Sequence, residues 1–283
     1  MIKIAAQRNN KYHYSPLRYP GGKTSLFPFF DKVIKKHQLK NITYVEPYAG
    51  GAGAALALLF LEKVDRIVIN DLDKAIFSFW KSVVFNSDKF VEKIYSVSLS
   101  MSEWKRQREI YRNEKKDEFS LGFATFFLNR TNISGILDGG PIGGKGQKGR
   151  WKIDARFNRE KLVEKIYQLS QYKNRILVTN EDGLDLINNY LNKKNVLIYL
   201  DPPYYEKGST LYLNHYKKND HEKLANKLNQ NPNSFWLLTY DNKSEIKSLY
   251  PLRRIVNFSL NYNAYKSRKG KEVMIFSDVL ATT

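Results

Sequence analysis

The chain has 283 residues and no cysteine. That absence removes disulfides, cysteine-ligated zinc, iron–sulfur clusters and thiol nucleophiles from consideration. Histidine is scarce as well. His13, His37, His215 and His221 are scattered, so no histidine cluster is expected and no metal is assigned. Long apolar runs are missing: none approaches the roughly 20 residues of a membrane-spanning helix. The opening MIKIAAQRNNKYHY lacks the apolar stretch of a secretory signal, so the expectation is a cytoplasmic protein with no membrane partner. Acid is short relative to base. Against 47 Lys+Arg stand 28 Asp+Glu, a formal net charge of +19. Such a field gathers polyanions, nucleic acid first among them.

What is present is an apolar framework. Hydrophobic residues make up 42% of the chain, enough for one large core or one domain carrying an insertion. ITYVEP (42–47), RIVIND (66–71), ILVTNED (176–182), VLIYLDPP (196–203) and FWLLTYD (235–241) read as strands, each ending at polar residues. Helical segments fall at 24–37, 52–63, 73–86, 88–98, 182–191 and 220–230. Apolar strands alternating with helices predict an α/β fold with a doubly wound, mostly parallel sheet. Ligands in such sheets bind at the carboxyl ends of strands, which here carry Glu46, Asp71, Asp182 and Asp201. Two last apolar stretches, LRRIVNFSL (252–260) and KEVMIFSD (271–278), predict an antiparallel hairpin at the sheet edge.

Residues 100–172 break this rhythm. Two helix-like stretches are followed by a basic, glycine-rich segment, RTNISGILDGGPIGGKGQKGRWKIDARFN (130–158). From Arg130 to Arg175 there are 11 Lys+Arg and four Asp+Glu. We expect an inserted, mainly helical domain over 100–172, with 1–99 and 173–283 forming the main domain.

Three motifs carry chemistry. EPYAGGAG (46–53) lies at a strand-to-helix turn, where glycines let a ligand approach the backbone. Its glycines do not fit the G-x-G-x-x-G dinucleotide fingerprint. Asp71, about 20 residues on, can accept hydrogen bonds from both hydroxyls of a ribose. DPPYY (201–205) follows the apolar VLIYL. Consecutive prolines fix the backbone, so an aspartate, rigid carbonyl acceptors and an exposed Tyr204 would suit a planar ring bearing an amino group. SPLRYPGGKTSL (15–26) suggests a phosphate loop, but Leu17 stands where the first glycine of G-x-x-x-x-G-K-[ST] is needed and no strand precedes it.

The ordered set RYPGGK, VEPYAGGAGAAL, INDLD, FFLNRTNISG, DPPYY and TYDN resembles the class α, D12-type (Dam-like) DNA adenine-N6 methyltransferases across nearly the whole chain. The resemblance implies a Rossmann-like methyltransferase fold. It implies methyl transfer from S-adenosylmethionine to N6 of a flipped-out adenine in duplex DNA, leaving S-adenosylhomocysteine, without a metal. It places Tyr19, Gly22, Lys23, Glu46, Tyr48, Gly50, Gly51, Asp71, Asp182 and Asp201 around the cofactor, with Lys23 reaching a carboxylate such as Glu46. The catalytic turn is Asp201, Pro202, Pro203 and Tyr204, with Tyr205 a second stacking candidate.

The basic insertion then becomes the target-recognition region. Arg130, Asn132 and Ser134 carry groups able to read base edges, and Lys145, Lys148, Arg150 and Lys152 suit phosphates. Arg268, near the hairpin tip, adds a basic contact. After Gly135 the chain departs from the Dam pattern, so GATC recognition is not implied. The expected partner is double-stranded DNA, with a separate cognate restriction endonuclease compatible with that setting and the chain acting as a monomer. Other amino acceptors (an RNA adenine, cytosine N4, a protein glutamine) and an inactive DNA-binding relative remain open at this point.

Overall fold

The computed structural model describes residues 12–19, 22–113, 117–205, 216–262 and 268–282. Seven strands form one sheet among the described residues: β1 (Thr43–Glu46), β2 (Arg66–Asn70), β3 (Ile176–Thr179), β4 (Val196–Leu200), β5 (Trp236–Asp241), β6 (Arg254–Tyr262) and β7 (Arg268–Phe276). The spatial order is β3-β2-β1-β4-β5-β7-β6. β1 lies parallel to both β2 and β4, with Thr43 opposite Arg66 on one side and Val196 on the other. Chain order reverses between those neighbours, which opens a crevice at the carboxyl ends of β1 and β4. β7 runs antiparallel to β5 and β6, closing the sheet with the expected hairpin. The doubly wound α/β architecture read from the sequence is the one observed.

Side chains alternate along each strand, so the sheet feeds two cores. Tyr44 joins one buried cluster and Val45 the other. α2 (Gly53–Phe60), GAALALLF, is apolar all round, and every residue from Ala54 to Phe60 is buried. It must therefore lie between the sheet and further layers. The helices start where the sequence supplies a cap. Asp73 accepts from Ala75 N at the head of α3 (Lys74–Phe85), and Ser100 from Glu103 N at α5 (Met101–Arg112). Asp117 does so for Ser120 N at α6 (Glu118–Thr131), and Asn158 for Lys161 N at α7 (Arg159–Gln171).

Two expected boundaries move. The segment 24–37 divides into a 3-10 turn (Lys23–Leu26) and α1 (Phe27–Lys36). Pro28 has no N–H to donate back into the preceding turn, so the regular helix begins beside it. β3 stops at Thr179 rather than running to Asp182, because Asp182 caps α8 (Gly183–Asn188) instead.

The helices of the expected insertion are built into the main core. Phe123 and Phe126 of α6 lie 5.3 Å, ring to ring, from Phe90 of α4 (Ser87–Ser96). Phe79 of α3 stacks on Phe126 at 6.0 Å. Gly122 makes the α3–α6 crossing close: a Cβ there would sit 2.3 Å from the Ser78 carbonyl oxygen. The guanidinium of Arg159 donates to the carbonyls of Ile94 and Val97 at the end of α4. The run 132–158 forms a loop on this core, bridged between Asn132 and Pro141 and packed against it through Ile153 and Phe157.

Candidate active site and nucleic-acid face

The carboxyl ends of the strands bring the predicted acids into one row. Asp182 follows β3, Asp71 follows β2, Glu46 ends β1 and Asp201 follows β4. Asp241 ends β5, and its sheet partner on β7 is Glu272.

Asp71 is half-buried, and both its oxygens accept backbone N–H groups: Gly50 N at 2.8 Å and Asp73 N at 3.0 Å. Burial pushes its carboxyl up to about 7. Asp71 thus ties β2 to the glycine turn, and each oxygen keeps a second lone pair for a ligand hydroxyl. Asp182 spends one oxygen on Leu184 N as the cap of α8. The Tyr48 ring packs against Gly183, where a Cβ would lie 2.5 Å from it, and its hydroxyl pairs with that of Tyr216 at 2.5 Å.

The glycine turn is approached by the protein itself. A Cβ on Gly50 or Gly51 would fall within 2.6 Å or 2.7 Å of Tyr19, and one on Gly53 would meet the Thr24 hydroxyl at 2.1 Å. Gly50 has φ +48°, a backbone that glycine adopts freely. These glycines therefore admit the 15–26 segment, which covers the turn, and Tyr19 forms the cover. Gly22, exposed, donates to the Tyr19 carbonyl at 3.1 Å.

Lys23 goes to the DPPYY turn and not to Glu46. Its ammonium is buried, donating to Asp201 Oδ2 at 2.7 Å and to Tyr204 Oη at 2.9 Å. Glu272 Oε2 lies 3.8 Å away. Asp201 Oδ1 accepts from the Thr239 hydroxyl at 2.8 Å, and Asp241 accepts from Tyr205 N at 3.1 Å. Tyr204 is half-buried rather than exposed, since its hydroxyl donates to Glu272 Oε1 at 2.6 Å. That bond and the prolines (Pro202 buried, Pro203 half-buried) fix the turn.

Glu46 is 4% exposed and accepts from Tyr44 Oη and Ala55 N, both at 3.1 Å. Burial raises it to about 8, and burial raises Glu272 to about 7. The carboxyls of Glu46, Asp201 and Glu272 thus gather near the ammonium of Lys23. A pocket with more carboxyl than ammonium suits a ligand that brings positive charge. Glu272 was missed in the sequence; an acid inside the apolar strand KEVMIF was the available signal.

Two comparisons bear on this arrangement. The family model for D12 class N6 adenine-specific DNA methyltransferase matches residues 19–266. The chain belongs to that family. It is also similar to "Type II methyltransferase M.MjaIII" of Methanocaldococcus jannaschii, 25% identical over 223 residues, covering 72% of this chain and 73% of the relative. The chain is thus an adenine-specific DNA methyltransferase.

The methyltransferase's predicted DNA contacts divide into two groups. Lys145, Lys148, Arg150 and Lys152 are exposed. Lys152 donates to the Gln147 carbonyl, and Gln147 in turn braces the loop through Ile142 O, Gly144 O and Ile153 N. The residues expected to read bases are placed differently. Asn132 is fully buried; its oxygen accepts from Trp104 Nε1 at 2.7 Å and its nitrogen donates to Ile136 O and Leu137 O. With its amide used up, it shapes the loop and offers no group to a base edge. Arg130 is half-buried on the Arg156 carbonyl, and desolvation lowers its guanidinium to about 9. Ser134 is half-buried at φ +57°. Arg268 opens β7, and its side chain lies outside the described residues, as does the hairpin tip at 263–267.

A groove on α5 was not anticipated. Lys105, Arg108 and Arg112 line it together with Trp104 and Lys145. The covering segment and the root of the 132–158 loop also meet directly. Arg18 N donates to Asn129 Oδ1 at 2.7 Å, Asn129 Nδ2 donates to Arg18 O and Gly135 O, and Arg18 Nη1 donates to Asn132 O.

Among the described residues no helix is long and apolar enough to cross a membrane, and no group of three His, Asp or Glu could hold a metal ion.

Proposed function

We propose that this methyltransferase transfers a methyl group from S-adenosylmethionine to N6 of an adenine flipped out of duplex DNA, in restriction–modification or in the marking of phage and host DNA. The observation that carries the reading is the convergence of Lys23, Asp201, Tyr204 and Glu272 at the switch point of the sheet, beside the glycine turn and its ribose-facing acid Asp71. When bound, S-adenosylmethionine supplies an electrophilic methyl group on a sulfonium. Asp71 would hold the ribose and Asp182 with its neighbours the adenine ring. Tyr19, Gly22, Lys23, Glu46, Tyr48, Gly50 and Gly51 would enclose the methionine end, where the carboxyl surplus favours a cation.

An exocyclic adenine amine is a poor nucleophile because its lone pair is delocalised into the ring. Asp201 and the Pro202 carbonyl would accept the two N6–H groups and turn the nitrogen toward a tetrahedral shape. Asp201 then stabilises the positive charge that develops on nitrogen. Tyr204, its hydroxyl held by Lys23 and Glu272, offers a ring face to the base. Positioning supplies the larger part of the rate. An adenine inside a duplex cannot reach this turn unless it leaves the stack.

We assign 1–99 and 173–283 to the methyltransferase domain and 100–172 to target recognition. Lys145, Lys148, Arg150, Lys152 and the basic groove of α5 are the proposed phosphate contacts. The enzyme is proposed to act as a monomer, with a separate cognate nuclease.

Transfer of a labelled methyl group from S-adenosylmethionine to duplex DNA, RNA and protein, assayed side by side, tests the reading. Label in DNA adenine is the expected result. Label only in RNA or protein, or no calorimetric binding of S-adenosylmethionine, would defeat it.

A further inference from the structure

Both oxygens of Asp201 already receive a protein donor: Oδ2 the Lys23 ammonium and Oδ1 the Thr239 hydroxyl. Each oxygen keeps a second lone pair for a substrate amine, but the positive charge that develops on that amine during transfer would repel an ammonium held on the same carboxylate. Thr239 is fully buried on β5 and fixed, its oxygen also meeting the Tyr199 hydroxyl at 2.8 Å. Lys23 sits at the end of a long side chain and is the donor able to move. A buried ammonium that lost its carboxylate would be strongly destabilised, so it needs a second one within reach.

Glu272 supplies it. The residue is 1% exposed, its Oε2 lies 3.8 Å from the Lys23 nitrogen, and that oxygen is buried with no hydrogen-bond partner among the described residues. Its other oxygen holds Tyr204, which is itself bonded to Lys23. Resting on the proposed methyl-transfer function, we propose that Glu272 is a positioning residue that receives the Lys23 ammonium when the adenine amine takes its place on Asp201. A short shift of the ammonium completes the exchange. Its contact with Tyr204 is shared by both positions, so the ring keeps its setting throughout.

Glu272→Gln separates this role from a merely structural one. Glutamine keeps the volume and a carbonyl acceptor for Tyr204 but removes the charge that receives Lys23. We expect kcat for duplex DNA to fall about tenfold while KM for DNA changes by less than about threefold. Glu272→Asp should recover part of the loss. In a Lys23→Met background the Gln substitution should cost nothing further.

The pH profile gives a second readout. Glu272 faces Lys23 from the 3-10 turn, Tyr199, Asp201 and Tyr204 from β4 and the turn after it, and Asp241 from β5. Its carboxyl, raised by burial to about 7, is neutral below that pH and cannot draw the ammonium. Wild-type kcat/KM should therefore rise through about pH 7, and Glu272→Gln should lose this limb. A limb that survives the substitution belongs to Glu46 or another group and overturns the proposal. So does wild-type kcat in Glu272→Gln, or an equal loss with and without Lys23.

Failure of wild type itself to methylate DNA defeats the functional reading before any variant is made. The Lys23–Glu272 pairing is then still tested without substrate, by a double-mutant cycle on unfolding midpoints: non-additive shifts support it and additive shifts refute it.

Discussion

The strand-end rim and the 132–158 loop are held by opposite means. At the rim, buried and half-buried side chains bind one another, so that Lys23, Asp201, Tyr204, Glu272 and Thr239 each limit where the next can go. In the loop, the cations face solvent and the fold rests on a few amides, above all Asn132 and Gln147, that bind backbone carbonyls. A reacting centre needs geometry fixed to a fraction of an ångström. A surface that meets DNA phosphates needs charge and reach, and tolerates variation. The two regions meet at Arg18, Asn129 and Gly135, so the segment covering the glycine turn and the root of the loop share one set of hydrogen bonds.

The largest effect should come from the rim. Asp201→Ala is expected to lower methyl transfer by at least about a thousandfold. DNA affinity, measured by fluorescence anisotropy, should stay within about threefold, since phosphate contacts supply most of it. A comparable loss of binding would mean that the two regions are not separable.

Next comes their junction. Gly135 has φ +76°, and a Cβ there would lie 2.4 Å from the Arg18 carbonyl oxygen. Gly135→Ala should destabilise the protein by about 1–3 kcal/mol, read from chemical denaturation. It should also reduce both methyl transfer and DNA affinity, because it disturbs cover and loop together. Loss of one property alone would show that the junction does not couple them.

The smallest effect belongs to the loop. Lys145→Ala combined with Lys148→Ala should lower the slope of log affinity against log salt by about 2 in magnitude and leave the recognised sequence unchanged. A changed target sequence would make these lysines base readers.

Much of the rim was legible in the sequence because chain-local signals mark it. Apolar strands ending in acids marked the sheet and the row of carboxyls at its strand ends, and DPPYY marked the turn. Glu272 was less legible: its place beside Tyr204 and Lys23 arises only when β7 inserts antiparallel beside β5, a pairing that no local pattern encodes. The glycines of AGGAG announced a close approach but not what approaches, and Tyr19 and Thr24 come from 30 residues upstream. In the loop, composition marked the cations Lys145, Lys148, Arg150 and Lys152, which are exposed. It could not separate Asn132, an amide consumed internally, from one free to read a base, since both have the same chemistry until the fold assigns their partners.

The central claim is that the Asp201 turn methylates adenine N6 in DNA. Sequencing of N6-methyladenine in DNA from cells expressing the wild-type chain or Asp201→Ala tests it most directly. Methylated adenines within one recurring sequence for wild type, and none for the variant, is the predicted result. An unmethylated wild-type genome, or the same marks in both, would contradict it.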